Sequence, residues 1–453
     1  MNLFKQIAVF GAVAVSLLAP NPAQGGNVPP AGSSPARFFM PTDVPENTAG
    51  STVKTDAQGN VHSVYRVYAR GDAFYSFCAS ACNKGAQMKA VRFKTDGAVQ
   101  NVMLALTRAG QPRVLISTSQ RVHYATCDSG CAAQRNWKTT VILDRPAFGE
   151  RGLDISGEAF ALDAQDRPRF IMSSYPQIIA SLQNRFDTYF VGCDAGCSQA
   201  QNWRSALLYD DQAWRDVQLR FNARGQMRLA LIGRIKGISG PNNSDVVGYA
   251  ECDSACDRAD RWNAVGLQPV YVTARLTSKP TVALQLTSSG APRVALIATL
   301  PNDELGHLRY LSCDQNCTED NWTNTGLLQG ESLYPGLGLA LRGNQPVIAL
   351  SYGGDVRLLS CQSNCSGVKS WKVSAVESGS DLAADKVIPY PNCTLSAWFL
   401  YDPSVAIAPD GRAVVTYSAS DDSGGFARPD TTKPACKAGT DMIFARYAAL
   451  SKD

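Results

Sequence analysis

The sequence predicts an all-β protein: a single seven-bladed β-propeller of four-stranded blades. Three observations carry the prediction. A Cys-x3-Cys pair, followed four or five residues later by a large apolar side chain, recurs six times along the 453 residues. Between these pairs run short apolar or alternating segments separated by Gly, Pro and Asp, the pattern of strands and tight turns. No window sustains a helical apolar period.

In chain order, the first segment reads as a secretory leader. Lys5 precedes an apolar run from Ile7 to Leu18, and small and Pro-rich residues follow. The run is too short to span a bilayer, and cleavage after Gly25 fits the small-residue rule. The expected layout is a leader over 1–25, a flexible linker over 26–35 and a propeller over 36–453. No cysteine precedes Cys78, so no lipid-anchored N-terminus is expected, and no later segment is apolar enough to cross a membrane. The expected location is the periplasm or the extracellular space. The formal charge of +4 falls to about +3 without Lys5 and is spread without long runs, which argues against nucleic acid as a partner.

The repeats run from Cys78 to Met88, Cys127 to Trp137, Cys193 to Trp203, Cys252 to Trp262, Cys313 to Trp322 and Cys361 to Trp371. Their first cysteines lie 48 to 66 residues apart, a propeller-blade period. Met88 stands in the Trp position of the first unit, where a thioether fills a similar apolar slot. The second unit shows the strand order: Val102 to Thr107, a turn over Arg108 to Gln111, Pro112 to Thr118, Val122 to Cys127, and Trp137 to Leu143. The third repeats it, with Phe160 to Leu162 as its first strand. Blades are expected at about 49–96, 99–143, 157–209, 214–268, 280–328, 336–376 and 402–449. The seventh unit has no cysteine pair and stops after its third strand. The apolar segment Ala36 to Met40, within 36–41, is expected to supply the fourth and remove the open sheet edge.

These units resemble those of secreted bacterial propellers of the sialidase-like, Asp-box kind. In that family the turn between the third and fourth strands carries Ser-x-Asp-x-Gly-x-x-Trp. Here Cys127-Asp128-Ser129-Gly130-Cys131 with Trp137, and Cys193-Asp194-Ala195-Gly196-Cys197 with Trp203, stand in its place. The likeness covers nearly the whole chain after the leader. It departs at the motif itself, so it speaks for fold more than for activity.

Cysteines three residues apart at a hairpin end can close a disulfide. Each turn offers only two of the four ligands that zinc wants, and a redox motif would have two intervening residues and a helix. Six disulfides follow, Cys78–Cys82, Cys127–Cys131, Cys193–Cys197, Cys252–Cys256, Cys313–Cys317 and Cys361–Cys365, as an exported chain permits. The remaining two, Cys393 and Cys436, are expected to pair. Four blades carry an Asp after the first Cys and an Arg opening the second strand, giving expected pairs Arg113–Asp128, Arg169–Asp194, Arg228–Asp253 and Arg293–Asp314. An alternative use of these arginines is an anion-binding ring. The recurrent Trp residues read as blade-to-blade packing, whereas Trp214 and Trp398 fall outside the register.

The face opposite the cysteine turns carries the irregular insertions: Ser174 to Asp187, Gly233 to Val247, Leu300 to His307, Glu377 to Trp398 and Ser420 to Asp441. Long loops on a rigid repeat are the default binding surface. Candidate ligand-binding residues there are Tyr175, Arg185, Arg234, Asp245, Asp303, His307, Trp398, Tyr401 and Asp421. Three function classes stay open: a module binding a glycan or protein, a sialidase-like glycoside hydrolase, and a propeller subunit of a periplasmic assembly. For the hydrolase, the resemblance implies three arginines for a carboxylate, a Tyr nucleophile activated by Glu, and an Asp proton donor. His62, His123 and His307 lie in different blades without metal-ligand spacing, and no haem motif occurs, so neither metal nor cofactor is expected. No catalytic residue is assigned.

Overall fold

The computed structural model describes residues 36–42, 48–67, 71–80, 82–175, 186–210, 214–233, 245–270, 281–300, 303, 305–384, 397–420 and 443–450. The leader, the linker, Cys393, Cys436, Arg185, Arg234 and Asp421 lie outside them. The described chain forms seven antiparallel sheets, one per blade, each meandering outward from an inner strand A to an outer strand D. Blade two is representative: Val99–Leu106, Pro112–Thr118, Arg121–Thr126 and Lys138–Asp144. The second strands are buried on both faces, with nearly continuous burial along their length. In strand B of blade four, Met227–Gly233, every residue is buried.

Closure is as the sequence predicts. Strand Arg37–Phe39 pairs antiparallel with the third strand of blade seven, Ile443–Ala449, matching Phe38 to Tyr447. The Phe38 ring stacks on Tyr447 at 4.6 Å and covers Gly85 of blade one. Two details differ from expectation. The inner strand of blade three is split into Gly152–Asp154 and Phe160–Leu162, both paired to Pro168–Tyr175, so its sheet begins earlier than residue 157. A six-residue helix, Gly379–Ala384, sits in the insertion before blade seven and is too short to leave a periodic signal.

All six Cys-x3-Cys pairs are disulfides with Cα atoms 5.7 Å apart. The residue before the second cysteine turns left-handed in the five blades where it is described: Gly130, Gly196, Ala255, Asn316 and Asn364. That conformation explains the Gly and Asn at this position. A short 3₁₀ turn precedes the Trp in blades two, three, four and six, and in all of blades two to six the indole N–H donates to the second cysteine's carbonyl: Trp137 to Cys131 at 2.8 Å, Trp203 to Cys197 at 2.9 Å, and likewise in blades four to six. In four of these five blades the ring meets an aromatic of the preceding blade three residues before that blade's first cysteine. Trp137 packs on Tyr75 at 4.7 Å, Trp203 on Tyr124 at 5.1 Å, Trp322 on Tyr249 at 5.1 Å and Trp371 on Tyr310 at 5.0 Å. These contacts are seams between blades; Trp137, Trp203 and Trp262 are buried there, and Trp322 and Trp371 are half-buried.

Candidate functional site

The cysteine-bearing face is occupied by its own contacts. Arg113 donates to Asp128 at 2.8 Å, Arg169 to Asp194 at 2.6 Å, Arg228 to Asp253 at 3.0 Å and Arg293 to Asp314 at 2.7 Å. Arg113, Arg169 and Arg293 also donate to the carbonyl of the first cysteine of the turn. The guanidinium thus pins the hairpin end, while each aspartate stays mostly exposed. With their donors spent this way, the arginines do not form an open anion ring. Blade one solves the same problem differently: His62 accepts no arginine's role but bridges Tyr75 at 2.8 Å and Asp56 at 3.3 Å. Burial lowers the His62 pKa, against the raising effect of Asp56.

On the insertion face, the second strands clasp the start of the next blade with residues that differ from blade to blade. Arg66 donates to the carbonyls of Val99 and Gln100, Ser173 to that of Trp214, and Ser351 to that of Leu400. Several inner strands bulge just beyond this point, with Gly50, Gly157, Asp216, Gly336 and Asp402 left-handed. At Gly336 the demand is steric as well, because a Cβ there would lie 2.4 Å from the Asp402 Cα. The inner strands of blades six and seven, Leu333–Arg342 and Phe399–Ile407, therefore run in close contact.

That approach assembles a row of aromatic rings at the insertion end of the axis. Tyr334 meets Phe399 edge-on at 4.5 Å, and Phe399 lies 5.5 Å from Tyr401. All three are half-buried, each keeping part of its ring open to solvent. Beside them Tyr352 ends the second strand of blade six, with the Arg357 guanidinium 5.3 Å from its ring centroid. Phe399 lies over the Gly353–Gly354 turn, where a Cβ on Gly354 would come within 3.3 Å of it. In blade five, the His307 Nε2 is 2.6 Å from Asp303, and Gln329 reaches the same carboxylate.

The structure separates the sequence-derived candidates. Tyr401, His307 and Asp303 belong to the described surface around blades five to seven. Asp245 pairs with Arg215 at the start of blade four, and the Tyr175 ring covers Gly152 at the edge of blade three. Trp398 does not offer a binding surface: it is 3% exposed and packs 5.9 Å from Phe39 in the core between blade seven and its neighbour. Trp214 is buried against Tyr209. Sequence reasoning missed Tyr334 and Phe399, because the signal that joins them is a contact between blades rather than a local motif.

Two charged clusters bear on catalysis. Tyr417 donates to Glu377 at 2.5 Å, and Arg446 forks onto both oxygens of that carboxylate at 2.5 and 2.6 Å. All three are at most 2% exposed. Burial, then the charge of Glu377, holds the Tyr417 phenol well above its usual range. This Tyr–Glu pair is therefore a buried brace between blades six and seven. The second cluster lies on the inner strands: one oxygen of Glu158 accepts from Lys54 at 2.8 Å and Arg220 at 2.5 Å. Burial alone would raise the Glu158 pKa, but the two cations outweigh it and bring it down to about 2. A carboxylate so held is ionised at neutral pH and cannot serve as a proton donor. Among the described residues no group of His, Cys, Asp and Glu is arranged to hold a metal, and no helix is long and apolar enough to cross a membrane.

Fold and contacts together define a seven-bladed, disulfide-stapled β-propeller. No protein-family model matches the chain, and no curated protein matches it. Solved structures similar to it include a protein of unknown function from Dyadobacter fermentans, with 9% identity over 93% of this chain and 99% of that one and a TM-score of 0.47. Others are the polysaccharide lyase Uly1, with 10% identity over 92% of each chain and a TM-score of 0.47, and a NanB sialidase variant from Streptococcus pneumoniae. The last shares 10% identity over 92% of this chain and 71% of that one, with a TM-score of 0.45. Similarity at this level leaves activity open.

Proposed function

We propose that this chain is an exported binding propeller that recognises a glycan through its insertion face. The observation that carries the reading is the row Tyr334, Phe399 and Tyr401. Three neighbouring rings stay partly open to solvent and lie in contact with one another, Tyr334 on Phe399 and Phe399 beside Tyr401. Aromatic faces stack on the C–H surfaces of sugars while charged and amide side chains at the rim bond the sugar hydroxyls and select among them. Asp303, His307, Gln329 and Arg357 supply such a polar rim. Six disulfides fit a chain that folds in an oxidising compartment.

The hydrolase reading draws less support from the same residues. The Tyr417–Glu377 hydrogen bond is buried, and Glu158 is held as an anion. The test is a glycan-array screen of the oxidised protein beside Phe399→Ala and Tyr401→Ala. The expected result is binding to a carbohydrate that each variant weakens at least about tenfold. Binding untouched by either change, or no glycan bound at all, would overturn the reading and favour a protein partner.

A further inference from the structure

The inner strands carry a second feature, independent of the aromatic row. Each inner strand places one residue at an equivalent register opposite strand B, facing the second residue of strand B except in blade six, where it faces the third, Val347. The registers place Lys54 against His62, Arg220 against Arg228 and Gln285 against Arg293. In the other four blades this position is alanine: Ala105, Ala161, Ala340 and Ala406. Two cations and one amide, Gln285, thus stand at a level where the other four blades carry only a methyl group.

Their only described acidic partner is Glu158, and it is shared. The Lys54 bond joins blade one to blade three past blade two, whose residue at this level is Ala105. The Lys54, Glu158 and Arg220 side chains are 29%, 28% and 16% exposed, so water reaches all three. Lys54 makes one hydrogen bond with its three ammonium protons, and a single carboxylate oxygen takes both cations. The cluster therefore holds one uncompensated positive charge in a confined, wet space, where attraction for an anion is stronger than in bulk water.

We propose that Lys54 and Arg220 form an oxyanion site in the central channel, one that Glu158 occupies in the free chain and yields to a sulfate, phosphate or carboxylate group. Lysine offers a point charge and arginine a planar fork, a pairing suited to a tetrahedral or planar oxyanion. Nothing in this site touches Tyr334, Phe399 or Tyr401, so either proposal can fail alone.

The experiment is calorimetric titration of the whole oxidised protein with sodium sulfate at constant ionic strength. Glu158→Gln removes the competing carboxylate and keeps the shape. It should bind sulfate at least tenfold more tightly than the unmodified chain, and Lys54→Met with Arg220→Met should abolish that binding. A parallel titration with methyl glucuronide distinguishes a free ion from the charged end of a larger ligand: the same gain there means the channel admits a sugar acid, and a gain for sulfate alone means it admits only the small ion. No gain in Glu158→Gln for either probe overturns the proposal, and this variant suffices even if the double variant does not fold. Sulfate binding that survives loss of both cations overturns it as well.

Discussion

The two faces of the propeller are built on opposite principles. On the cysteine face, successive blades repeat the same parts: a disulfide, a left-handed residue, an indole bonded to a cysteine carbonyl and, in four blades, an arginine pinning the hairpin. On the insertion face, equivalent positions hold Arg66, Ser173 and Ser351, which reach for the same backbone target with different chemistry. Repetition appears where each blade must fit its neighbour, because interblade packing poses the same steric problem around the ring. On the insertion face the same backbone contact is met by different side chains, and there three large rings, Tyr334, Phe399 and Tyr401, lie together half open.

The comparison is broken most forcefully at a seam. Trp203→Ala should cost about 3 to 5 kcal/mol in urea unfolding, since it removes a buried indole, its hydrogen bond to Cys197 and its contact with Tyr124. Tyr401→Ala, at the open mouth, should cost well under half of that while reducing ligand binding. Equal losses at the two sites would erase the distinction between seam and surface.

Next in size is the Glu158 brace on the inner strands. Its folded pKa, about 2, lies below the ordinary 4.5. Its stabilisation is therefore complete above pH 4.5 and fades as pH falls towards 2. Unfolding free energies measured across that window should drop by about 2 to 3 kcal/mol more for the unmodified chain than for Glu158→Gln. Parallel curves would show that the brace contributes nothing.

A smaller effect separates the two partners of one hairpin pin. Arg169→Met should cost about 2 kcal/mol, because the nearly buried guanidinium also bonds the carbonyls of Pro168 and Cys193. Asp194→Asn should change stability by about 0.5 kcal/mol or less, as the aspartate is 73% exposed. A reversed order would mean that the ion pair, rather than the carbonyl contacts, holds the turn.

The smallest change concerns the left-handed residue of the cysteine turn. Ala255, at φ 53°, adopts a conformation unfavourable to a Cβ. Ala255→Gly should raise the stability by about 1 kcal/mol. Gly196→Ala should lower it by at least as much, since the new methyl carbon would also lie 2.5 Å from the Asn202 amide. Thermal melts of the pair should move in opposite directions.

Much of this architecture is legible in the chain because its causes are local. A disulfide between cysteines three residues apart, a turn that wants Gly or Asn, and a Trp delivered by the same hairpin all sit within about ten residues. Six copies make the period plain. Even the closing strand is legible, because Ala36 to Met40 is apolar with no other strand to join. The Tyr that receives the next blade's Trp was also present in the text, three residues before Cys78, Cys127, Cys252 and Cys313, but it reads as an ordinary strand aromatic until the seam is seen.

What the tertiary structure alone decided is which residues meet across blades. Trp398 looked like an exposed anchor in an insertion and is core, because Phe39 of the closing strand covers it. Tyr334 and Phe399 are 65 positions apart in the numbering and become neighbours because Gly336 lets two inner strands touch. Lys54, Glu158 and Arg220 carry no motif at all. Sequence periodicity determined the blades, their staples and their order, since each blade folds by short-range pairing. The axis and its mouth are made where seven blades converge, and convergence of residues far apart in the chain leaves no local signal to read.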